Sequence, residues 1–230
     1  MVLLVSKMDY SPIIVSLKTA SVSIVFTFIL GIFASWLVIT QRNEKIRMLL
    51  DGLFTIPLVL PPTVAGFFLL YVFGVTRPIG KFFIDVFAYK IVFSWSATVI
   101  AAIVMSFPLM YRSSRGAFEQ VDENLIHAAR TLGLNEWQIL MKVYLPNALP
   151  GIISGSILAF ARGLGEFGAT AMIAGNIAGK TRTLPMAVYT EVAAGNMADA
   201  TDYVIVLVMI AFISIIAMNY ITYKNQIKKR

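Results

Sequence analysis

Long stretches without a charged residue constrain this chain more than any other feature of its sequence. Four of them have the length of roughly 20 residues that a helix needs to cross a bilayer core about 30 Å thick. They cover residues 19–40, 52–76, 91–111 and 203–223. A fifth, at about 149–175, is interrupted by Arg162 and Glu166. None alternates between apolar and polar residues as barrel strands do, so the five stretches predict transmembrane helices.

Composition supports the same fold class and excludes several kinds of site. The chain has 230 residues, of which only 13% are charged, whereas a soluble domain has about 25%. It has no cysteine and one histidine, which excludes disulfides, thiolate metal sites and sites that need two imidazoles. We therefore expect an all-α membrane protein with a single domain over residues 1–230, no metal and no cofactor. The segment 184–198 is too short to cross and predicts a half-length or re-entrant helix.

The distribution of Lys and Arg predicts which way the chain crosses the membrane. The connections 41–51, 112–148 and 224–230 together hold 11 of these residues, and 1–18, 77–90 and 179–202 hold 7. Positive residues favour the cytoplasmic side. We therefore expect a multi-pass protein of the cell membrane, or inner membrane, with its C-terminus in the cytoplasm and its N-terminus on the outer side. The net charge of +7 is then explained by residues that flank the spans, and a nucleic-acid partner is not expected.

The longest polar connection, residues 113–148, predicts two short helices. Asp122 is placed to cap the first, and Gly133 follows its last apolar residue, where a left-handed cap is favoured. Asn135 and Gln138 have the spacing of a capping box at the start of the second. We expect this second helix to end near Tyr144, because Pro146 cannot continue it. Such a structured connection is typical of a docking site for a partner, although a solvated connector is the simpler alternative.

This connection also resembles a known motif. The run 127–133, His-Ala-Ala-Arg-Thr-Leu-Gly, is followed after nine residues by Val-Tyr-Leu-Pro at 143–146. Its spacing is similar to that of the EAA loop of ABC importer permeases, with His127 in place of the glutamate and Val143 in place of an isoleucine. The resemblance implies a coupling helix, with two adjacent alanines that allow close approach to an ATP-binding subunit. The residues that it implicates are His127, Ala128, Ala129, Arg130, Gly133, Leu145 and Pro146.

The stretch at 149–175 combines small residues with the intramembrane charges. Gly151, Gly155, Ala159 and Gly163 recur every fourth residue, which predicts a smooth face for close helix packing. Arg162 and Glu166 have the i,i+4 spacing at which they can neutralise one another. Two interpretations of this pair stay open, namely an internal brace and a lining of the substrate route.

Further segments resemble oxyanion importer permeases of the molybdate and sulfate type. They are residues 161–169, 56–66 and 180–185. The prolines of 56–66 are expected to bend their helix. The resemblance implies a type I ABC importer permease fold and a homodimer of this chain. It also implies two ATP-binding subunits and an extracytoplasmic oxyanion-binding protein, with molybdate as the first expectation and sulfate or tungstate as alternatives. Catalysis would reside in the partner, not in this chain.

Other functional classes remain as alternatives. A self-contained secondary transporter would typically show inverted repeats, and 112–148 has no second copy in the sequence. A membrane enzyme is disfavoured because no nucleophile–base pair is recognisable. Residues 175–181 look like a phosphate-binding loop, but three residues separate the glycines where four are required.

Overall fold

The chain folds into helices joined by short connections in a computed structural model that describes residues 9–227, with the backbone only for 218 and 221–227. No strand occurs within this range. The helices are α1 Ser11–Thr40, α2 Glu44–Val59, α3 Pro62–Phe73, α4 Pro78–Phe87, α5 Trp95–Glu119, α6 Glu123–Thr131, α7 Glu136–Ile139, α8 Leu145–Leu164, α9 Gly168–Ala174, α10 Leu184–Ala193 and α11 Met197–Ile227. A π-helical turn, Leu140–Tyr144, joins α7 to α8. The basic residues Lys228, Lys229 and Arg230 of the predicted cytoplasmic tail lie outside the described residues, as do residues 1–8.

Four helices are long and apolar enough to cross a membrane. They are Ser11–Thr40, Trp95–Glu119, Glu136–Leu164 and Met197–Ala217. A fifth span exists if α2 and α3, which are bent by 111° at the break between them, count as one. The prediction of an all-α membrane protein is therefore confirmed, with four spans or, if the bent pair counts as one, five. The stretch 52–76, which we call the broken span, contains two helices rather than one straight helix.

Prolines explain the break between α2 and α3. Leu60 and Pro61 both adopt extended backbone conformations, with ψ of 138° and 136°. A residue before proline is pushed out of the helical region, and Leu60 and Pro61 each precede one. Beyond the break, α3 packs closely on α9, because a Cβ on Gly66 would lie 2.7 Å from the Cα of Ala169. The bending predicted at Pro61 and Pro62 is thus confirmed, whereas Pro57 lies inside α2.

Hydroxyl pairs join α1 to α5 inside the bundle. Thr19 Oγ1 lies 2.9 Å from Thr98 Oγ1, and Thr27 Oγ1 lies 3.0 Å from Ser106 Oγ. All four side chains are buried. Hydroxyls that bond across helices satisfy polar groups that lipid cannot, so these pairs join α1 and α5 without charged side chains.

The small-residue face of α8 packs against α5, as its sequence predicts. A Cβ on Gly151 would lie 2.6 Å from Ala117 Cβ, and a Cβ on Gly155 would lie 2.5 Å from Ser113 Cβ. These are separations that real Cβ atoms essentially never show. The glycines are therefore required for the close approach of the two helices.

Enlarging Gly155 is expected to separate α8 from α5. Gly155→Val should lower the stability of the folded chain by about 1–3 kcal/mol, the usual cost of overpacking, which thermal unfolding of the purified chain in detergent would measure. Gly116→Val is the matched control, because a Cβ on Gly116 meets nothing within 4 Å. Equal losses for the two variants would contradict this packing.

The connections between spans contain more helix than the sequence indicates. Residues 77–90, which we expected to be a connection, include the ten-residue helix α4. The predicted half-length element is confirmed as α10, although it ends at Ala193 rather than at 198. Gly195, with φ of +81°, makes the turn into α11, which begins at Met197 and not at 203.

Candidate functional site

The first helix of the predicted coupling segment begins and ends as expected. Asp122 Oδ1 accepts a hydrogen bond of 2.9 Å from the backbone N–H of Asn124, and α6 starts at Glu123. Gly133 follows the helix with φ of +79°, in the left-handed region that favours glycine. Residues 113–119, by contrast, belong to α5 and not to a separate connection.

The second helix starts with the predicted capping box. Asn135 Oδ1 accepts from the N–H of Gln138, and Gln138 Oε1 accepts from the N–H of Asn135, both at 2.9 Å. This reciprocal pair satisfies two backbone donors at the helix start. The turn between α6 and α7 is thereby fixed by the chain's own groups.

The prediction that Pro146 ends this helix is wrong. The backbone N–H of Leu145 donates to the carbonyl of Leu140, five residues earlier, and α8 then continues to Leu164. Where π-helical spacing returns to α-helical spacing, one carbonyl is left without a donor, and proline, which has no N–H, fits there. One continuous helix, Glu136–Leu164, therefore leads from the predicted coupling segment into the membrane.

The two adjacent alanines of the motif differ in exposure. Ala129 is buried, in one apolar cluster with Ile126, Phe118 and Tyr144, whereas Ala128 is exposed. The expectation that both alanines allow approach of a partner is thus corrected, because Ala129 packs inward. Leu145 is half-buried against the same cluster. The outward face of α6 and its following turn, which we call the α6 face, is formed by Leu125, His127, Ala128, Arg130, Leu132 and Gly133.

Arg130 is already paired within the chain. Its Nε lies 3.0 Å from Glu136 Oε1, and hydrogen bonding to that carboxylate raises the pKa of Arg130. Both side chains are about half exposed, and such pairs contribute only about 0–1 kcal/mol. The ion pair links α6 to α7 and leaves His127 as the other ionisable member of the α6 face.

Arg162 and Glu166 form the predicted i,i+4 ion pair. Arg162 donates to Glu166 Oε2 at 2.6 Å, and the other carboxylate oxygen accepts from the N–H of Ala169 at 2.8 Å. The Glu166 side chain is 2% exposed and that of Arg162 is 28% exposed. Since α8 ends at Leu164, Glu166 lies in the break before α9 and joins the two helices.

Sequence reasoning missed a second ionic cluster, between α2 and α5. Arg115 forms ion pairs with Asp51 and, at 2.8 Å, with Glu119. Tyr111 donates to Asp51 Oδ1 at 2.7 Å, and Arg47 reaches Glu119 at 3.3 Å. The i,i+4 spacing of Arg115 and Glu119 was a visible signal, but nothing local connects either residue to Asp51.

The segment that looks like a phosphate-binding loop is closed on itself. Thr181 Oγ1 accepts from the N–H of Ile177 at 2.9 Å and donates to the carbonyl of Gly175 at 3.2 Å. Both of the contacts that order its hydroxyl are thus internal. Within residues 9–227 no group of three His, Asp or Glu side chains could hold a metal ion.

Comparison with known proteins gives a consistent picture. Residues 12–228 match the family described as binding-protein-dependent transport system inner membrane component. The molybdenum transport system permease protein ModB of Escherichia coli (strain K12) is 42% identical over 214 residues, covering 93% of each chain.

Solved structures share the fold. The methionine ABC transporter MetNI in inward-facing conformations superposes with a TM-score of 0.73 at 21% identity, covering 93% of this chain and 94% of that chain. A bacterial alginate ABC transporter, in complex with an alginate pentasaccharide-bound periplasmic protein, gives a TM-score of 0.74 at 14% identity, with 95% and 80% covered. The fold is that of type I ABC importer permeases.

Proposed function

Because this chain belongs to the family of binding-protein-dependent transport system inner membrane components, we propose that it is the permease of an ABC importer that moves molybdate into the cytoplasm. The substrate rests on the permease ModB, whose printed name refers to molybdenum transport and whose sequence matches nearly the whole chain. Residues 1–230 form a single transmembrane domain that carries out no chemical step. ATP hydrolysis takes place in a partner.

The observation that carries this proposal is the α6 face and its attachment to the bundle. Leu132 is an apolar side chain, 79% exposed, at the end of a polar helix, and a partner that covers it would gain from removing it from water. The buried side of α6 lies in one apolar cluster with Phe118 at the end of α5 and Tyr144 of the π-helical turn, and Glu136–Leu164 continues into the membrane. A partner that shifts α6 therefore moves two spans, which is how a local event biases a bistable bundle.

The proposed assembly contains two copies of this chain, two ATP-binding subunits on the α6 faces, and a binding protein outside. The bound periplasmic protein in the alginate transporter supports the last of these. The Lys and Arg distribution supports an inner-membrane topology with the N-terminus outside and the C-terminus in the cytoplasm. His127, Ala128, Arg130 and Gly133 would contact the ATP-binding subunit, whereas Ala129, Leu145 and Pro146 would maintain the segment's shape.

For Arg162 and Glu166 we propose the brace rather than the substrate route. Both Glu166 oxygens are used within the chain, one by Arg162 and one by the start of α9. An anion would have to compete with this buried carboxylate for the guanidinium. A brace that joins α8 to α9 needs only the contacts described above.

Co-purification tests the class of the protein. We expect an affinity-tagged chain, produced together with the proposed ATPase and binding protein, to retain the ATPase in stoichiometric amount. Uptake of radiolabelled molybdate by proteoliposomes, competed with tungstate or sulfate, identifies the anion. If tungstate or sulfate competes more strongly than unlabelled molybdate does, the permease would be assigned to that anion instead. Uptake without any ATPase would indicate a secondary transporter.

A further inference from the structure

Helix α2 is held to the rest of the chain by few contacts. None of its residues is buried, although it is half of a broken span. Its apolar attachments are Leu50 and Phe54, which are partly buried against a small cluster of α1 and α5 residues. The Phe54 ring lies 5.3 Å from Tyr111 and 5.6 Å from Phe107. The other attachment is the ionic cluster between α2 and α5, which therefore helps to fix the position of α2.

The ionic cluster is arranged as a clamp. Asp51 on α2 receives both the Tyr111 hydroxyl and the Arg115 guanidinium of α5. The Arg115 side chain is 20% exposed and that of Asp51 is 33% exposed, so water screens the ion pair only in part. Arg115 is held in turn by Glu119, which also contacts Arg47 of α2.

The α5 side of the clamp is continuous with the predicted coupling segment. Arg115 and Glu119 lie in the last two turns of α5, and α6 begins at Glu123. Between them, Phe118 is buried against Tyr144, with ring centroids 5.4 Å apart, in the cluster that contains the inner face of α6. The end of α5 is therefore joined to α6 through this cluster.

The other end of α2 is attached differently. After the 111° break, α3 packs on α9 through Gly66 and Ala169. Leu60 and Pro61 form the connection, and neither has a helical conformation. The two halves of this broken span thus belong to different neighbours.

We propose that Asp51, Tyr111 and Arg115 are positioning residues that make α2 move as one body with the end of α5 and the predicted coupling segment. The Leu60–Pro61 connection is the joint between this body and α3. This inference rests on the proposed function, since it assigns to the cluster the transmission of movement from α6 to the first half of the broken span. A cluster that only stabilised the fold would leave the coupling of ATP hydrolysis to transport unchanged.

Spin-label distances test the mechanical part directly. The chain has no cysteine, so Met48→Cys with Gln120→Cys reports α2 against the end of α5, and Met48→Cys with Phe67→Cys reports across the joint. In the assembled complex, ATP should leave the first distance unchanged and shift the second. In the isolated chain in detergent, Asp51→Asn should broaden the distribution of the distance between labels at 48 and 120. Glu44→Gln is the control and should not broaden it, because Glu44 on the same helix forms no ion pair among the described residues.

The functional readout is the amount of anion taken up per ATP hydrolysed. Asp51→Asn should lower this ratio about fivefold, within the usual range of coupling between sites, while Asp51→Glu retains most of it. If Asp51→Asn fails to fold, Tyr111→Phe, which removes only the hydroxyl, should lower the ratio in the same direction. The proposal would be overturned if a variant that assembles keeps the wild-type ratio of anion taken up to ATP hydrolysed. It would also be overturned if ATP changes the distance between labels at 48 and 120. A wild-type complex without ATP-driven uptake would refute the proposed function instead, and the broadening in the isolated chain would still test the clamp.

Discussion

Replacing Leu132 with aspartate is expected to weaken binding of the ATP-binding subunit strongly while the chain stays folded in the membrane. The side chain is 79% exposed, so it contributes almost nothing to the packing of the free chain. In the assembly it would be covered, and a carboxylate there would lose its water without gaining a partner. Central apolar anchors of interfaces contribute about 2 kcal/mol or more, so the dissociation constant should rise about 30-fold or more.

Co-purification of the ATPase with the tagged Leu132→Asp chain measures this effect. Leu132→Met is the matched control, because it keeps an apolar side chain of similar volume and should retain the ATPase. Ala129 is unsuitable for the same purpose, since it is buried in the apolar cluster behind α6 and a larger residue would disturb the fold. Retention of the ATPase by Leu132→Asp at the level of Leu132→Met would show that the α6 face is not the docking surface.

The second large effect is expected at the intramembrane ion pair. Arg162→Gln removes the only guanidinium that contacts Glu166 among the described residues, and leaves a carboxylate 2% exposed. Removing one member of a buried pair costs about 3–5 kcal/mol, and the partial exposure of Arg162 places the expected cost near the smaller value. The amount of folded chain in the membrane, measured by quantitative blotting and size-exclusion chromatography, should therefore fall severely.

A double variant separates the brace from the substrate route. Arg162→Gln with Glu166→Gln leaves no buried charge, and the glutamine oxygen can still accept from the N–H of Ala169. A brace predicts that the double variant regains both folded amount and transport per folded chain. Recovery of the folded amount without recovery of transport would contradict the brace and assign Arg162 to the pathway.

Features encoded by neighbouring residues were predictable from the sequence. The capping box at Asn135 and Gln138, the start of α6 at Asp122 and its end at Gly133 each depend on groups within four residues of one another. The stripe of small residues in α8 was equally readable, because its period of four defines one helix face. For the same reason the i,i+4 pair of Arg162 and Glu166 formed as its spacing indicates.

Features that depend on distant parts of the chain were not predictable. Pro146 does not end a helix because a π-helical turn precedes it, and no residue pattern announces that turn. Asp51 appeared to be only the last charge before an apolar stretch, because its partners lie 60 and 64 residues away on α5. Ala129 was expected to face a partner, since only the packing of α6 in the folded chain reveals which of two adjacent alanines is buried.

ATP-driven uptake by the reconstituted complex tests most directly whether this chain is a permease that a partner ATPase drives. Proteoliposomes would contain the chain with its ATP-binding subunit, would receive molybdate-loaded binding protein outside, and would enclose either ATP or a non-hydrolysable analogue. Molybdate accumulation with ATP and none with the analogue is the predicted result. Accumulation that is equal in the two preparations, or that persists when the ATP-binding subunit is left out, would contradict it.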